Sequence, residues 1–423
     1  LLALAAHVAR RGAAWPRRVF FPHGDVLRAW SAPDERPALP PGAIGEIVDG
    51  VRAELVARAE ARPRFARAVL DRGLADLLVP IHERAAPRAK LVWPRGSDVA
   101  LPDAASLRLF VHWEEPPGAR VDLDLSVVLF DAGWRHVGTC DHKHATVAAG
   151  DAGPAAVHAG DVKSAPPPHG GSELIDLHLG ALAAAGARHL VMSVISRSAV
   201  SFDRLTFGFA GLIAGAPNGA PFEPRAVLQR FDLHGRAVVQ VPLTIDLEAR
   251  RLRWIDVHIR DRGAFHHAGG QRAVLAHVGR DFEHLIGAGA RPTLWEIACI
   301  HATARANVVY VRGPGEITTY RRRDGEPPAG RLARLLAGDH DGAVAAIPTA
   351  NAPTWVALLR DDLAIPCGSA GYILDARHTG AEALARAPAA DLVAELAPVP
   401  AAASGSGVTA GRAARSPGGS AGR

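Results

Sequence analysis

From Val121 to Leu129 every odd-numbered residue is large and aliphatic: Val121, Leu123, Leu125, Val127 and Leu129. Side chains alternate faces along a strand but recur every three to four positions along a helix, so this run buries its apolar set only as a β-strand with one face on a core. That assignment gathers Asp122, Asp124 and Ser126 on the opposite face and sets the two aspartates about 6.5 to 7 Å apart. Leu107, Leu109, Val111 and Trp113 repeat the same period. Extended runs follow at 190–195, 227–233, 238–245 and 252–257, separated by Gly, Pro and Asp turns. Many short strands joined by long polar loops predict a β-sandwich over residues 100–260.

The flanks change period. Ile44, Ile47, Val51 and Leu55, then Val69, Leu70, Leu74 and Leu77, recur at helical spacing, which predicts a mainly helical region over residues 1–95. Beyond Arg260 the stripe Val274, Val278, Phe282 and Leu285 predicts another helix. Thr293 with Glu296 reads as a capping box, and Asn307–Arg312 with Ile317–Tyr320 reads as a hairpin. Residues 262–378 form a separate α+β unit in this reading, and 379–423, rich in Gly, Ser, Ala and Arg, a mostly disordered tail. The predicted class is therefore multidomain α+β, as 423 residues require more than one core.

Charge and cysteines narrow the function classes. The net charge of +5 comes from scattered arginines, and the basic run Arg321-Arg322-Arg323 is too short to predict a nucleic-acid surface. No apolar stretch approaches the roughly 20 residues of a membrane span. Leu1 to Val8 is apolar, but its charges follow rather than precede it, unlike a secretory signal. Cys140, Cys299 and Cys367 match neither a zinc spacing nor a disulfide framework, which predicts a cytoplasmic protein. A chain beginning at Leu1 rather than Met is expected to be a fragment.

The carboxylates carry the chemistry. Asp161, in a Gly-containing loop, and Glu173, at the start of a later strand, can fold over Asp122 and Asp124. Four acids converging to about 5 Å repel by roughly 3 kcal/mol per pair at an effective dielectric near 20. A cation relieves that repulsion, and hard oxygen donors without thiolates suit Ca²⁺. Spacing alone equally allows a wet strand face with Asp161 and Glu173 capping turns.

The segments Val121-Asp122-Leu123-Asp124-Leu125-Ser126, Val157-His158-Ala159-Gly160-Asp161 and Gly170-Gly171-Ser172-Glu173 resemble, in order and spacing, the TerD family of tellurite-resistance and stress-response proteins. The similarity runs on through Val191–Ile195, Phe202–Ile213 and Arg230-Phe231-Asp232-Leu233. It implies a calcium-binding β-sandwich with Asp122, Asp124, Asp161 and Glu173 at ligand positions. The chain departs from the family pattern in having Gly171 and Ser172 where further acids stand, and in carrying Lys163 and Pro166-Pro167-Pro168; fewer acids imply weaker binding or a single site. The flanks are similar to larger bacterial proteins in which such a domain follows a RING-type zinc module, whose cysteine pattern this chain lacks.

Other clusters point to competing readings. His142, His144 and His158 offer a zinc set. His266-His267 cannot share a ligand on a regular strand, Cys299 and His301 are poorly spaced as a nucleophile pair, and Ser193, Ser196 and Ser198 lack a nucleophile elbow. Trp113, Trp134, Trp254, Trp295 and Trp355 read as core, the last two on helices. The leading expectation is a non-enzymatic Ca²⁺-binding scaffold or sensor with protein partners in a stress-response complex. A zinc-dependent enzyme, or a metal-free interaction scaffold with a degenerate site, are the alternatives.

Overall fold

A computed structural model describes residues 1–12, 17–20, 30–79, 96–215, 227–259, 272–286, 291–348, 352–360, 362–375, 385–386, 392–393 and 395–397. The protein is a mixed α+β chain of several sheets, mostly strands with some helices. It opens with α1 (Leu2–Ala9), a ribbon of β1 (Arg17–Phe20) and β2 (Trp30–Pro33), α2 (Pro41–Glu60) and β3 (Phe65–Asp71).

Two six-stranded sheets follow. One contains β5 (Ser106–Glu114), β8 (Thr146–Ala148), β9 (Pro154–His158), β10 (Gly171–His178), β12 (Phe207–Ala214) and β13 (Val227–Asp232). The other contains β4 (Asp98–Ala100), β6 (Leu123–Phe130), β7 (His136–Cys140), β11 (His189–Ser196), β14 (Val239–Asp246) and β15 (Arg251–Ile259). A short helix, α3 (Leu179–Ala184), joins β10 to β11. Neighbouring strands pair antiparallel throughout both sheets.

The predicted alternation holds. Leu107, Leu109, Val111 and Trp113 from one sheet share a core with Leu123, Leu125, Val127 and Leu129 from the other. The opposite face of β6 is not uniformly wet, because Val128 and Phe130 lie in a second apolar cluster with Leu275 and Val278 of α4 (Arg272–Ile286). Asp124 and Ser126 occupy the same face, closer to the start of the strand.

The flanks meet in one layer. A seven-stranded sheet has the order β18 (Gly342–Val344), β17 (Ile317–Arg321), β16 (Ala306–Arg312), β3, β19 (Thr354–Arg360), β20 (Ala370–Asp375), β21 (Ala385–Arg386). The N-terminal β3 is thus hydrogen-bonded in parallel to β16 on one side and β19 on the other. Side chains of α2, α5 (Leu294–Arg305) and α6 (Pro328–Ala337) share a core with it. Thr293 and Glu296 form the expected reciprocal cap on α5, and the expected hairpin is β16–β17.

Three readings change. Val69, Leu70, Leu74 and Leu77 are not helical: the first two lie on β3 and Leu74 sits in a short 3₁₀ turn. Trp355 is on β19 rather than a helix, and Trp134 sits in a turn, partly buried and stacked on His189. The predicted disordered tail lies largely outside the described residues, yet β21 and the buried Leu392 and Leu396 belong to the folded chain. His266 and His267 lie outside the described residues.

Candidate metal centre

The start of β6 and the loop between β9 and β10 bring three of the four predicted carboxylates together. Asp122, Asp124 and Asp161 each offer an oxygen within 4.8 Å of the others. Calcium binds oxygens at about 2.3–2.6 Å, so ligands of one ion stand at most roughly 5 Å apart. The grouping therefore lies within the reach of a single ion.

Asp124 is 3% exposed, Asp122 is intermediate and Asp161 is exposed. Among the described residues, neither Oδ1 of Asp122 nor Oδ2 of Asp124 has a hydrogen-bond partner, although both atoms are buried. Burial, then the neighbouring Glu173 and Asp122, push the Asp124 carboxyl up to about 7. Burial, then Asp161 and Glu173, also raise Asp122. The Arg197 charge pulls Asp124 the other way but does not outweigh burial and the neighbouring acids.

Glu173 plays a different part from the aspartates. On β10 it shares a face with Ile175 and Leu177, which line the sandwich core, so its carboxyl points inward. Its Oε2 accepts the amide of Leu125 at 2.8 Å and its Oε1 the amide of Val162 at 2.9 Å. Nε2 of His158 stands 3.3 Å from the same Oε2. Leu125 follows Asp124 and Val162 follows Asp161, so one buried acid fixes the backbone beside two of the candidate ligands.

A second buried acid escaped the sequence reading. Glu115 Oε1 accepts the amides of Val121 and Ala165 at 3.0 and 2.9 Å and the Ser164 hydroxyl at 2.8 Å. Burial opposes ionisation of Glu115, but these donors outweigh it and hold its carboxyl below the ordinary value. The only signal available was an acid at the end of an alternating strand, just before Pro116-Pro117.

Cations also reach the cluster. Arg197 lies 3.4 Å from Oδ2 of Asp124, and Lys163 lies 3.4 Å from Oδ2 of Asp161. His142 Nδ1 is 3.5 Å from Oδ1 of Asp124. The expected zinc set does not assemble: His142 faces Asp124, His144 pairs with Asp141 at 3.0 Å, and His158 faces Glu173. Cys299 and His301 are fully buried in α5, and Ser193 is fully buried in β11.

No protein-family model matches the chain, and no curated protein matches it. Among solved structures it is similar to a homologue of the telluride resistance protein TerD from Streptomyces coelicolor A3(2), at 11% identity over 37% of this chain and 92% of that one, with a TM-score of 0.30. It is also similar to a protein of unknown function, at 17% identity over 37% of this chain and 94% of that one, with a TM-score of 0.29. TM-scores this low carry no weight for the chemistry, and the candidate centre rests on its own geometry.

Proposed function

We propose that the chain is a non-enzymatic, calcium-binding protein of TerD type, in which Asp122, Asp124 and Asp161 hold the ion and Glu173 positions two of them. The observation that carries this reading is the convergence of three carboxylates, two of which, Asp122 and Asp124, each bury an oxygen without a hydrogen-bond partner among the described residues. All-oxygen donors from Asp124 on β6, Asp122 just before it and Asp161 in a loop suit Ca²⁺ better than zinc. Binding would tie the β9–β10 loop to β6, and an ordered loop is a surface that a protein partner in a stress-response complex can read. Unpaired Cys140, Cys299 and Cys367 fit a cytoplasmic setting, and no helix among the described residues is long and apolar enough to cross a membrane.

The experiment is thermal unfolding of chelator-treated protein with added Ca²⁺, Mg²⁺ or Zn²⁺. At about 100 times its dissociation constant, calcium adds about 2.7 kcal/mol to the unit that binds it. The stabilisation is expected for wild type and lost in Asp122→Ala and Asp161→Ala. No effect of millimolar calcium on wild type would sink the reading. Arg197 and Lys163 favour the second reading, a metal-free interaction scaffold whose acids are neutralised by its own cations, and that outcome would select it.

A further inference from the structure

A second donor cluster lies on a different part of the sandwich. His234, in the loop between β13 and β14, and Asp256 and His258, on β15, offer ligand atoms that all fall within 4.8 Å of one another. The arrangement is built by a bulge. Val241 of β14 pairs with Val257 and Leu243 with Trp254, so two steps on one strand face three on the other. Asp256 takes up the extra residue at φ 43°, a left-handed conformation that is costly for a residue with a β-carbon.

The bulge switches the parity of β14, where Val239 and Val241 pack toward α4 but Leu243 and Ile245 line the core, and leaves the alternation of β15 intact. Leu252 and Trp254 line the core between the sheets, whereas Ile255 and Val257 pack toward α4. Asp256 and His258 therefore continue the face of Leu252 and Trp254, opposite α4. Two supports hold them there. Buried Gln240 donates from Nε2 to Oδ1 of Asp256 at 2.7 Å, and the Gly235 amide donates to Oδ1 of Asp203 at 2.6 Å. Gly235, at φ 94°, lets the loop pass so close to the His258 ring that a β-carbon there would stand 2.9 Å from its Cε1.

His234 Nε2 lies 3.4 Å from Oδ2 of Asp256, and His258 Nε2 lies 3.6 Å from Oδ1. Those separations exceed good hydrogen bonds but match the spacing of neighbouring ligands around a tetrahedral ion, about 3.4 Å for bonds near 2.1 Å. We infer that His234, Asp256 and His258 form a transition-metal site for a zinc-like divalent cation, distinct from the aspartate cluster. Two imidazoles and one carboxylate select against calcium, and Gln240 supplies the hydrogen bond to the ligating carboxylate that such centres use. With His234 34% exposed, solvent can supply the remaining ligand. The bound ion would clamp the β13–β14 loop onto β15.

The test is zinc titration of the full chain against a chromophoric chelator, with Co²⁺ absorption reporting the ligand set. One equivalent is expected in wild type and in Asp122→Ala. His234→Gln, a change at a partly exposed position, should weaken zinc at least tenfold, and His258→Ala should do the same and alter the Co²⁺ spectrum. No stoichiometric zinc on wild type, or uptake insensitive to His234→Gln, overturns the assignment. Loss of zinc in Asp122→Ala with retention in His234→Gln also overturns it, by placing the ion on the aspartates.

Discussion

Glu173 and Leu125 are joined across the sandwich by a 2.8 Å hydrogen bond from a strand amide to a carboxylate that is 1% exposed. The bond sits one residue from Asp124, and its sister bond to Val162 sits one residue from Asp161. Replacing Glu173 with Gln turns one of two well-placed acceptors into a donor facing an amide. The substitution is expected to cost about 2–3 kcal/mol in chemical unfolding and to weaken calcium, although Glu173 need not touch the ion.

Arg197 competes for Asp124. Its guanidinium is 3.4 Å from the carboxylate and its side chain is about a third exposed, at 32%. Arg197→Gln removes a like charge from beside the ion at little structural cost. Calcium titration should show affinity tightened by about three- to tenfold, the range expected of a partly screened charge.

Asp124 couples calcium to protons. Its folded value of about 7 stands above the 3.8 of the unfolded chain, with burial as the first cause and Glu173 and Asp122 next. The metal-free fold therefore binds the extra proton between those limits, and Asp124 makes it less stable as pH rises through 7. Calcium must displace that proton. Its affinity is expected to fall as pH drops from 8 to 6, with proton release visible as a buffer-dependent binding enthalpy, and Asp124→Asn should abolish the release.

His301 sets the opposite slope in the seven-stranded unit. Burial lowers it to about 3, outweighing the Leu392 carbonyl that accepts from Nε2, while the Arg305 charge lowers it further. The unfolded imidazole protonates near 6.5, so the unfolded state holds more protons between pH 6.5 and 3, and stability present above pH 6.5 is lost as pH falls. At pH 5 the loss is about 2 kcal/mol. Trp355, stacked on His301 at 5.3 Å, gives a local fluorescence readout, and His301→Gln should flatten the acid limb.

Arg108 and Asp176 sit directly opposite each other on β5 and β10 and bond through two atom pairs at 2.5 and 2.9 Å, both side chains buried. Arg108→Met alone strands a buried carboxylate and is expected to cost about 3–5 kcal/mol. The double change with Asp176→Leu should recover most of that loss in the same denaturation assay.

What the sequence made legible follows from period. β6 alternates because one of its faces meets the core between the sheets, and that alternation placed Asp122 and Asp124 correctly on the other. The same logic could have separated Glu173, since it keeps step with Ile175 and Leu177. β3 was misread because a central parallel strand is buried on both faces and shows no alternation, so Val69, Leu70, Leu74 and Leu77 mimicked a helical stripe. The His234–Asp256–His258 cluster was not legible, because His234 lies in a loop whose path over β15 leaves no mark in residue type.

The place of β3 also bears on how the chain is made. Phe65 pairs with Ala306 and Arg67 with Thr354, so more than two hundred residues must leave the ribosome before β3 finds either neighbour. The sandwich strands, encoded in between, find all of theirs sooner. During synthesis β3 is thus an apolar strand with two unsatisfied edges, waiting beside a finished domain. Where Leu78 bridges Thr293, the outgoing and returning chains meet side by side. Translation that stalls after the sandwich would release a folded module on an unfolded leash, the kind of nascent chain that holdase chaperones bind.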